Sequence, residues 1–238
     1  MRLEHIGGLQ VRLAGGTDGH GGGTGPLVLL LHGFGAPGDD LLQLAGAIGG
    51  PAKTRWLFPE GPLRLTMGYG DSRAWWLIDM ARLEADRLAG RIRDLSLEVP
   101  AGLPQARQAL ETFLTALPRA LPVDYHHTII GGFSQGAMLT CDLVMRTELQ
   151  FAGLIQLSGS LLAKQQWRPS AKRTGLPVFL SHGTQDPILP YVMAERLRDA
   201  LIRAGLAVQW HSFHGGHQIP PPILAQLSGF LTNVFIKS

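Results

Sequence analysis

Ser134 stands at the centre of Gly132-Phe133-Ser134-Gln135-Gly136, a G-x-S-x-G pentapeptide. The β-branched run Thr128-Ile129-Ile130 comes before it, and the helix formers Ala137-Met138-Leu139 come after it. A strand, a sharp turn and a helix in that order can lift a serine hydroxyl above a sheet in the strained backbone of a nucleophile elbow. The flanking glycines suit this, because neither carries a Cβ to collide at the tip. Such a serine attacks acyl carbonyls only when a histidine takes its proton and a carboxylate orients that histidine. In elbow proteins the chain order is serine, acid, histidine. Two loops that follow apolar runs meet this order: Ser181-His182-Gly183-Thr184-Gln185-Asp186-Pro187 offers Asp186, and Phe213-His214-Gly215-Gly216-His217 offers His217. The expected triad is therefore Ser134, Asp186 and His217. Asp142 falls on the helix behind the elbow and points away from its tip, and Asp124 precedes the serine. His211 and His214 lie nearer the last strand, whereas Gly215-Gly216 free His217 to curl toward Ser134. As a metal set these three histidines span a Gly-Gly turn rather than a helix face and have no carboxylate beside them, so no metal is expected.

A tetrahedral oxyanion also needs donors. His32-Gly33-Phe34-Gly35 ends the apolar run Pro26–Leu31, which reads as a buried parallel strand. A turn at that edge can aim the Phe34 N–H at the oxyanion, with the Gln135 N–H as the second donor. His32 precedes the serine and is expected to be a packed structural residue. Phe34, Trp75, Trp76 and Leu189 are candidates for the wall of an acyl site, and the paired tryptophans suit the core equally.

The elements that must position these groups alternate along the chain. Residues 3–13 suggest a small hairpin around Gly7-Gly8. Residues 15–25 hold seven glycines, which suggests a flexible surface loop, because no phosphate-loop pattern follows. A short helix is expected over 39–49, a strand at Arg55–Pro59, irregular chain from Glu60 to Asp71, and leucine-spaced charged helix over 77–98. Pro104 can open a helix from Gln105 to Leu117. After the elbow strand at 128–132, strands are expected at Phe151–Ser158, Leu176–His182 and Ala207–Phe213, with helices at 191–204 and Ile223–Phe235. This alternation predicts an α/β fold: one doubly wound, mostly parallel sheet with helices on both faces, in a single domain over 1–238. The 77–103 segment suits either a lid or flap or a plain connecting helix.

Composition narrows the class. The chain has 238 residues, 45% hydrophobic, and a formal charge of +3. Its arginines interleave with acids, as at Arg82, Glu84, Asp86 and Arg87, which is a solvated face rather than a nucleic-acid stripe. Cys141 is the only cysteine, so no internal disulfide can form. The first residues have no apolar leader core, and no uncharged apolar run reaches membrane-spanning length. A cytoplasmic setting with no integral membrane segment is expected.

Four motifs together resemble the phospholipase/carboxylesterase family of α/β-hydrolases, which includes acyl-protein thioesterases and small bacterial carboxylesterases. Leu31-His-Gly-Phe-Gly35 resembles its oxyanion turn, and Gly132–Gly136 its nucleophile motif. His182-Gly-Thr-Gln-Asp-Pro-Ile-Leu-Pro190 is similar to its acid loop, and Gly215-Gly-His-Gln-Ile219 to its histidine loop. Where the family has W-[FY]-D, this chain reads Trp75-Trp76-Leu77, and Ala36-Pro37 follow the oxyanion turn where an acid is usual. The resemblance implies an α/β-hydrolase fold and a serine carboxylesterase or thioesterase without cofactor. The expected partner is a small ester or thioester with an apolar acyl group, cleaved through an acyl-enzyme. A lysophospholipase or acyl-protein thioesterase is the alternative within the class, and a catalytically silent binding module the alternative outside it. Monomer and homodimer are both compatible with the sequence.

Overall fold

Five-residue apolar runs dominate the sheet because strands covered on both faces must be hydrophobic throughout. The computed structural model describes residues 1–66, 71–90, 94–168 and 170–237, with the side chains of Arg87 and Lys237 excepted. In chain order the strands are β1 (Arg2–Ile6), β2 (Leu9–Gly16), β3 (His20–Gly22), β4 (Leu27–Leu31), β5 (Arg55–Pro59), β6 (Leu63–Arg64), β7 (Arg73–Ala74), β8 (Thr128–Phe133), β9 (Gly153–Leu157), β10 (Pro177–Gly183) and β11 (Ala207–Phe213). The helices are α1 (Leu44–Ile48), α2 (Met80–Leu88), α3 (Leu103–Ala120), α4 (Gln135–Arg146), α5 (Tyr191–Arg203) and α6 (Pro221–Lys237).

Nine strands form one sheet in the order β1-β2-β5-β4-β8-β9-β10-β11, with β3 paired to β2. From β5 to β11 every pairing is parallel, while β1–β2 and β2–β5 are antiparallel. The mostly parallel sheet with helices on both faces is thus as expected. Parallel pairing brings the carboxyl ends of β4, β8, β10 and β11 to one edge, and the loops there carry every candidate residue except Trp75 and Trp76, which follow β7. One apolar core lies between the sheet and α3, α4 and α5, around Leu110, Phe113, Leu139 and Leu197. A second lies on the opposite face under α1 and α6, around Ile48, Leu227 and Phe230.

Several boundaries differ from expectation for local reasons. The hairpin at 3–13 forms as β1 and β2. The glycine-rich segment folds instead of hanging free: β3 pairs with β2, and Asp18 Oδ1 accepts from the His20 and Gly22 N–H groups at 2.7 and 2.9 Å. Five of its glycines take positive φ, so their number serves tight turns. The helix expected over 39–49 is only α1: before it the N–H groups of Asp40, Leu42 and Leu44 bond to carbonyls three residues back, in turns rather than α-helix, and Gly49-Gly50 end it where expected. Helix α2 begins where Asp79 Oδ1 caps the Arg82 N–H at 2.9 Å and ends before Gly90, at φ 62°. Residues 67–70 of the stretch expected to be irregular, and 91–93 of the expected 77–98 helix and 77–103 flap, lie outside the described residues. Among the described residues no helix is long and apolar enough to cross a membrane.

Asp142 is buried on α4, and Arg107 of α3 donates to its Oδ2 at 2.7 Å, so this acid ties two helices together away from the elbow tip. Arg107→Leu would strand a buried carboxylate. It should lower the unfolding free energy by about 3 kcal/mol, read from urea denaturation.

Candidate active site

The elbow exists because β8 must turn into α4 within one residue. Ser134 takes φ 53° and ψ −115°, a conformation that strains any side-chain-bearing residue. Its N–H donates to Leu157 O at 2.9 Å, and its carbonyl accepts from Met138 N–H at 3.0 Å, which holds the strain in place. The flanking glycines answer to a neighbour more than to the serine. A Cβ on Gly136 would lie 2.1 Å from Leu31 O, and one on Gly132 would lie 2.5 Å from the same oxygen. The elbow is pressed onto the end of β4, where the oxyanion turn begins.

His217 comes from the loop after β11. Its Nδ1 lies 2.7 Å from Asp186 Oδ2, and its ring packs on Phe133, 4.8 Å between centroids. With Nδ1–H donating to the carboxylate, the neutral ring presents its lone pair at Nε2. The acid loop leaves β10 and is stitched to the histidine loop: Thr184 N–H donates to Phe213 O at 2.8 Å, and Gln185 N–H to Gly215 O at 2.9 Å. The approach is so close that a Cβ on Gly183 would sit 2.3 Å from Gly216 O. Gly215 and Gly216 do not take positive φ, so the glycine that this pair of loops requires is Gly183 rather than the two expected.

Asp186 is fully enclosed at its side chain. Burial alone would raise its carboxyl, but the donors on it win. His182 and His217 both reach Oδ2, and Ile188 and Leu189 N–H groups donate to Oδ1 at 2.8 and 2.9 Å. The carboxyl is held well below the ordinary aspartate range. His182, which the sequence reading did not single out, is buried and turns Nε2 toward both Leu189 O, at 2.8 Å, and Asp186 Oδ2, at 3.3 Å. The i, i+4 spacing of His182 and Asp186 was the available signal.

His32 is buried, with Nδ1 donating to Gly33 O at 2.8 Å and Nε2 accepting from Gly61 N–H at 2.9 Å. Burial lowers its pKa, and the neutral ring is a structural strut, consistent with the role expected for it. His211 stacks on Phe179 at 4.5 Å, and His214 is exposed. Among the described residues no three His, Cys, Asp or Glu side chains are grouped to hold a metal.

Ser134 and His217 open into a cavity of about 410 Å³. Phe34, Trp76 and Leu189 line it, as do Met138, Leu162, Leu83 and Leu95, which the sequence reading had not picked. Ile78, Met80, Pro100 and Ala101 also face it, so the 77–103 segment forms one wall. Trp75 does not line the cavity. It is buried beside His32, its Nε1–H donating to His32 O at 3.1 Å, while its backbone N–H is held by Gln135 Oε1. Trp75 thus leaves the expected acyl wall and Trp76 stays in it.

Gln135 is the first residue of α4, where backbone N–H groups have no partner within the helix. Its side chain is also engaged: Oε1 accepts from Trp75 N–H at 2.9 Å, and Nε2 donates to Trp76 O at 2.8 Å. The sequence reading assigns this residue a backbone role alone; its fully buried amide also clamps the neighbouring chain.

A family model described as Phospholipase/Carboxylesterase matches residues 22–235. Acyl-protein thioesterase 1 of Schizosaccharomyces pombe is 27% identical over 187 residues, covering 74% of this chain and 75% of the relative. The crystal structure of esterase PE8 superposes with a TM-score of 0.72 at 26% identity, covering 94% of this chain and 99% of that one. A carboxylesterase from Mesorhizobium loti reaches a TM-score of 0.74 at 17% identity, over 97% of both chains, which is a likeness of fold.

Two outcomes follow from this geometry. Gln135→Ala leaves Trp75 N–H and Trp76 O unpaired in the interior, and should cost about 2–4 kcal/mol of stability in urea denaturation. A carboxyl whose folded pKa is depressed stabilises the fold above its unfolded pKa, about 3.9, and loses that contribution as pH falls toward the folded value. The stability gap between the parent and Asp186→Asn should therefore be widest near neutral pH and shrink below about pH 4.

Proposed function

Since this chain belongs to the phospholipase/carboxylesterase family, and is thereby a serine hydrolase of esters or thioesters, we propose that Ser134, His217 and Asp186 carry its reaction and that the substrate has an apolar acyl group. The observation that carries this reading is the meeting of Ser134 and His217 on one apolar cavity, with Asp186 behind the histidine at 2.7 Å.

The chemistry runs as acyl transfer. His217 Nε2 takes the Ser134 hydroxyl proton as Oγ bonds to the acyl carbon. The carbonyl electrons move onto oxygen, and the backbone N–H groups of Phe34 and Gln135 stabilise that charge, each such donor being worth about 3–4 kcal/mol of barrier. The imidazolium is stabilised by Asp186, whose ionised state its donors maintain. Collapse breaks the acyl–oxygen or acyl–sulfur bond, and His217 returns its proton to the departing alcohol or thiol. Water, deprotonated by the same nitrogen, then releases the acid and restores Ser134.

Phe34, Trp76 and Leu189, together with the 77–103 wall, would hold the acyl group by burial of apolar surface. A movable flap over that wall belongs to the same proposal, as does action as a single domain in the cytoplasm, where the buried Cys141 needs no oxidising compartment. Relatives named acyl-protein thioesterase 1 favour a second reading, in which long-chain thioesters are preferred.

Ser134→Ala should lower kcat toward p-nitrophenyl esters by at least about 10⁴-fold without loss of fold, and a fluorophosphonate should label the parent at Ser134 alone. An unlabelled Ser134 in folded protein would leave a silent binding module. In an acyl-length series of matched esters and thioesters, a steep rise toward long thioesters would select the thioesterase reading over the small-ester one.

A further inference from the structure

The residue after Phe34, and Gln135 itself, are gripped by the same few residues of chain. Arg73 on β7 accepts the Gly35 N–H at its carbonyl and donates its own N–H to Ala36 O, both at 2.9 Å. Pro37 and Ser72 extend this pairing by one bridge. Two residues on, Trp75 and Trp76 are clamped by the Gln135 side chain. Residues 73–76 therefore act as a strut between the turn that carries Phe34 and the helix start that carries Gln135.

Something must hold the strut at its depth, and the buried group behind it is a carboxylate. Glu60 is 3% exposed and Arg73 7%. Glu60 Oε2 lies 3.1 Å from Arg73 Nη2, and Glu60 Oε1 is paired with Arg12 Nη1 of β2. Arg73 Nη2 also reaches Asp71 Oδ2 at 2.9 Å. Among the described residues Glu60 Oε2 and Arg73 Nε make no well-directed hydrogen bond, so charge rather than bond direction holds this contact. The oxyanion turn rests on the same carboxylate: a Cβ on Gly38 would fall 2.2 Å from Glu60 Cγ. The residue after Glu60 completes the enclosure, because Gly61 N–H donates to His32 Nε2, and Trp75 Nε1–H donates to His32 O. A buried ion pair adds little net stability over an apolar packing of the same volume, so its effect is better sought in geometry.

Resting on the catalytic reading above, we infer that the Glu60–Arg73 pair, extended by Arg12, positions the oxyanion hole by fixing the strut that joins its two donors. Glu60 and Arg73 touch no reacting atom and are positioning residues. Loss of the charge at Glu60 would let residues 73–76 relax, and the spacing between the Phe34 and Gln135 N–H groups would relax with them. That spacing affects the transition state, where charge sits on oxygen, far more than the bound substrate.

The test is Glu60→Gln, close in shape and uncharged, assayed after fluorophosphonate titration so that rates are per active site. The expected result is a fall in kcat of about tenfold to a hundredfold, with KM changed by less than about threefold. The inhibition constant of a trifluoromethyl ketone, which forms the tetrahedral adduct, should weaken in proportion to kcat/KM. Arg12→Met removes only the partly exposed partner, and should show the same pattern at about threefold to tenfold; it carries the test if Glu60→Gln does not fold. Arg173→Met, which removes a buried arginine bonded to Thr147 O, should lower stability but leave per-site kcat and ketone affinity unchanged. Per-site kcat and ketone affinity within threefold of the parent in Glu60→Gln, or in Arg12→Met where Glu60→Gln does not fold, would overturn the inference, as would a loss of kcat with ketone affinity intact. Either result, obtained in protein that still labels at Ser134, removes the positioning role alone. Absence of labelling in the parent would instead remove the triad reading beneath it.

Discussion

Leu31 O at the end of β4 sits where any Cβ on Gly132 or Gly136 would collide with it. That close approach lets β8, its sharp turn and α4 press against the oxyanion turn, and the rest of the site depends on it. Ser134 accepts a strained backbone because its N–H and carbonyl are both tied, to Leu157 and Met138. Four parallel strands then deliver their loops to the same edge, so Ser134, the His32–Gly35 turn, Asp186 and His217 meet without long excursions of chain.

The polar groups around this contact form two linked assemblies. On one side Asp186 gathers four donors, from His182, His217, Ile188 and Leu189, and stays ionised despite its burial. On the other, Gln135, His32, Trp75 and the Glu60–Arg73 pair bind the oxyanion turn to the start of α4. Apolar packing alone would tolerate small slips of either loop. Buried polar groups do not, because each slip leaves a donor or acceptor without its partner. The two assemblies flank a cavity whose walls are otherwise largely apolar.

Much of this was legible before any coordinates. The alternation of apolar runs with amphipathic stretches predicted the parallel sheet and the two helical layers, and nearly every long element lies within two or three residues of expectation. Short-range balances were harder to read. The glycine-rich segment at 15–25 looks flexible by composition, yet Asp18 and the pairing with β2 fold it. The helix at 39–49 shrank to α1 because its first residues close turns to carbonyls three residues back instead of α-helical bonds. Trp75 and Trp76 are chemically identical in the sequence and both are buried, and only tertiary contacts set Trp75 against His32 and Trp76 on the cavity.

By itself the sequence determined the elbow, the order serine–acid–histidine, and the edge from which each group departs, because these follow from local turn chemistry and from the periodicity of burial. It also separated His32 from the base candidates by chain order alone. What only the tertiary structure decided is which distant groups share an atom: His182 and His217 on Asp186 Oδ2, Gln135 across Trp75 and Trp76, Glu60 beneath Arg73. Those pairings join residues 4 to 60 positions apart through loops and strand ends. A residue's type shows what it can bind, but its partner is chosen by packing, which leaves each buried polar group only the neighbours that the folded chain brings to it.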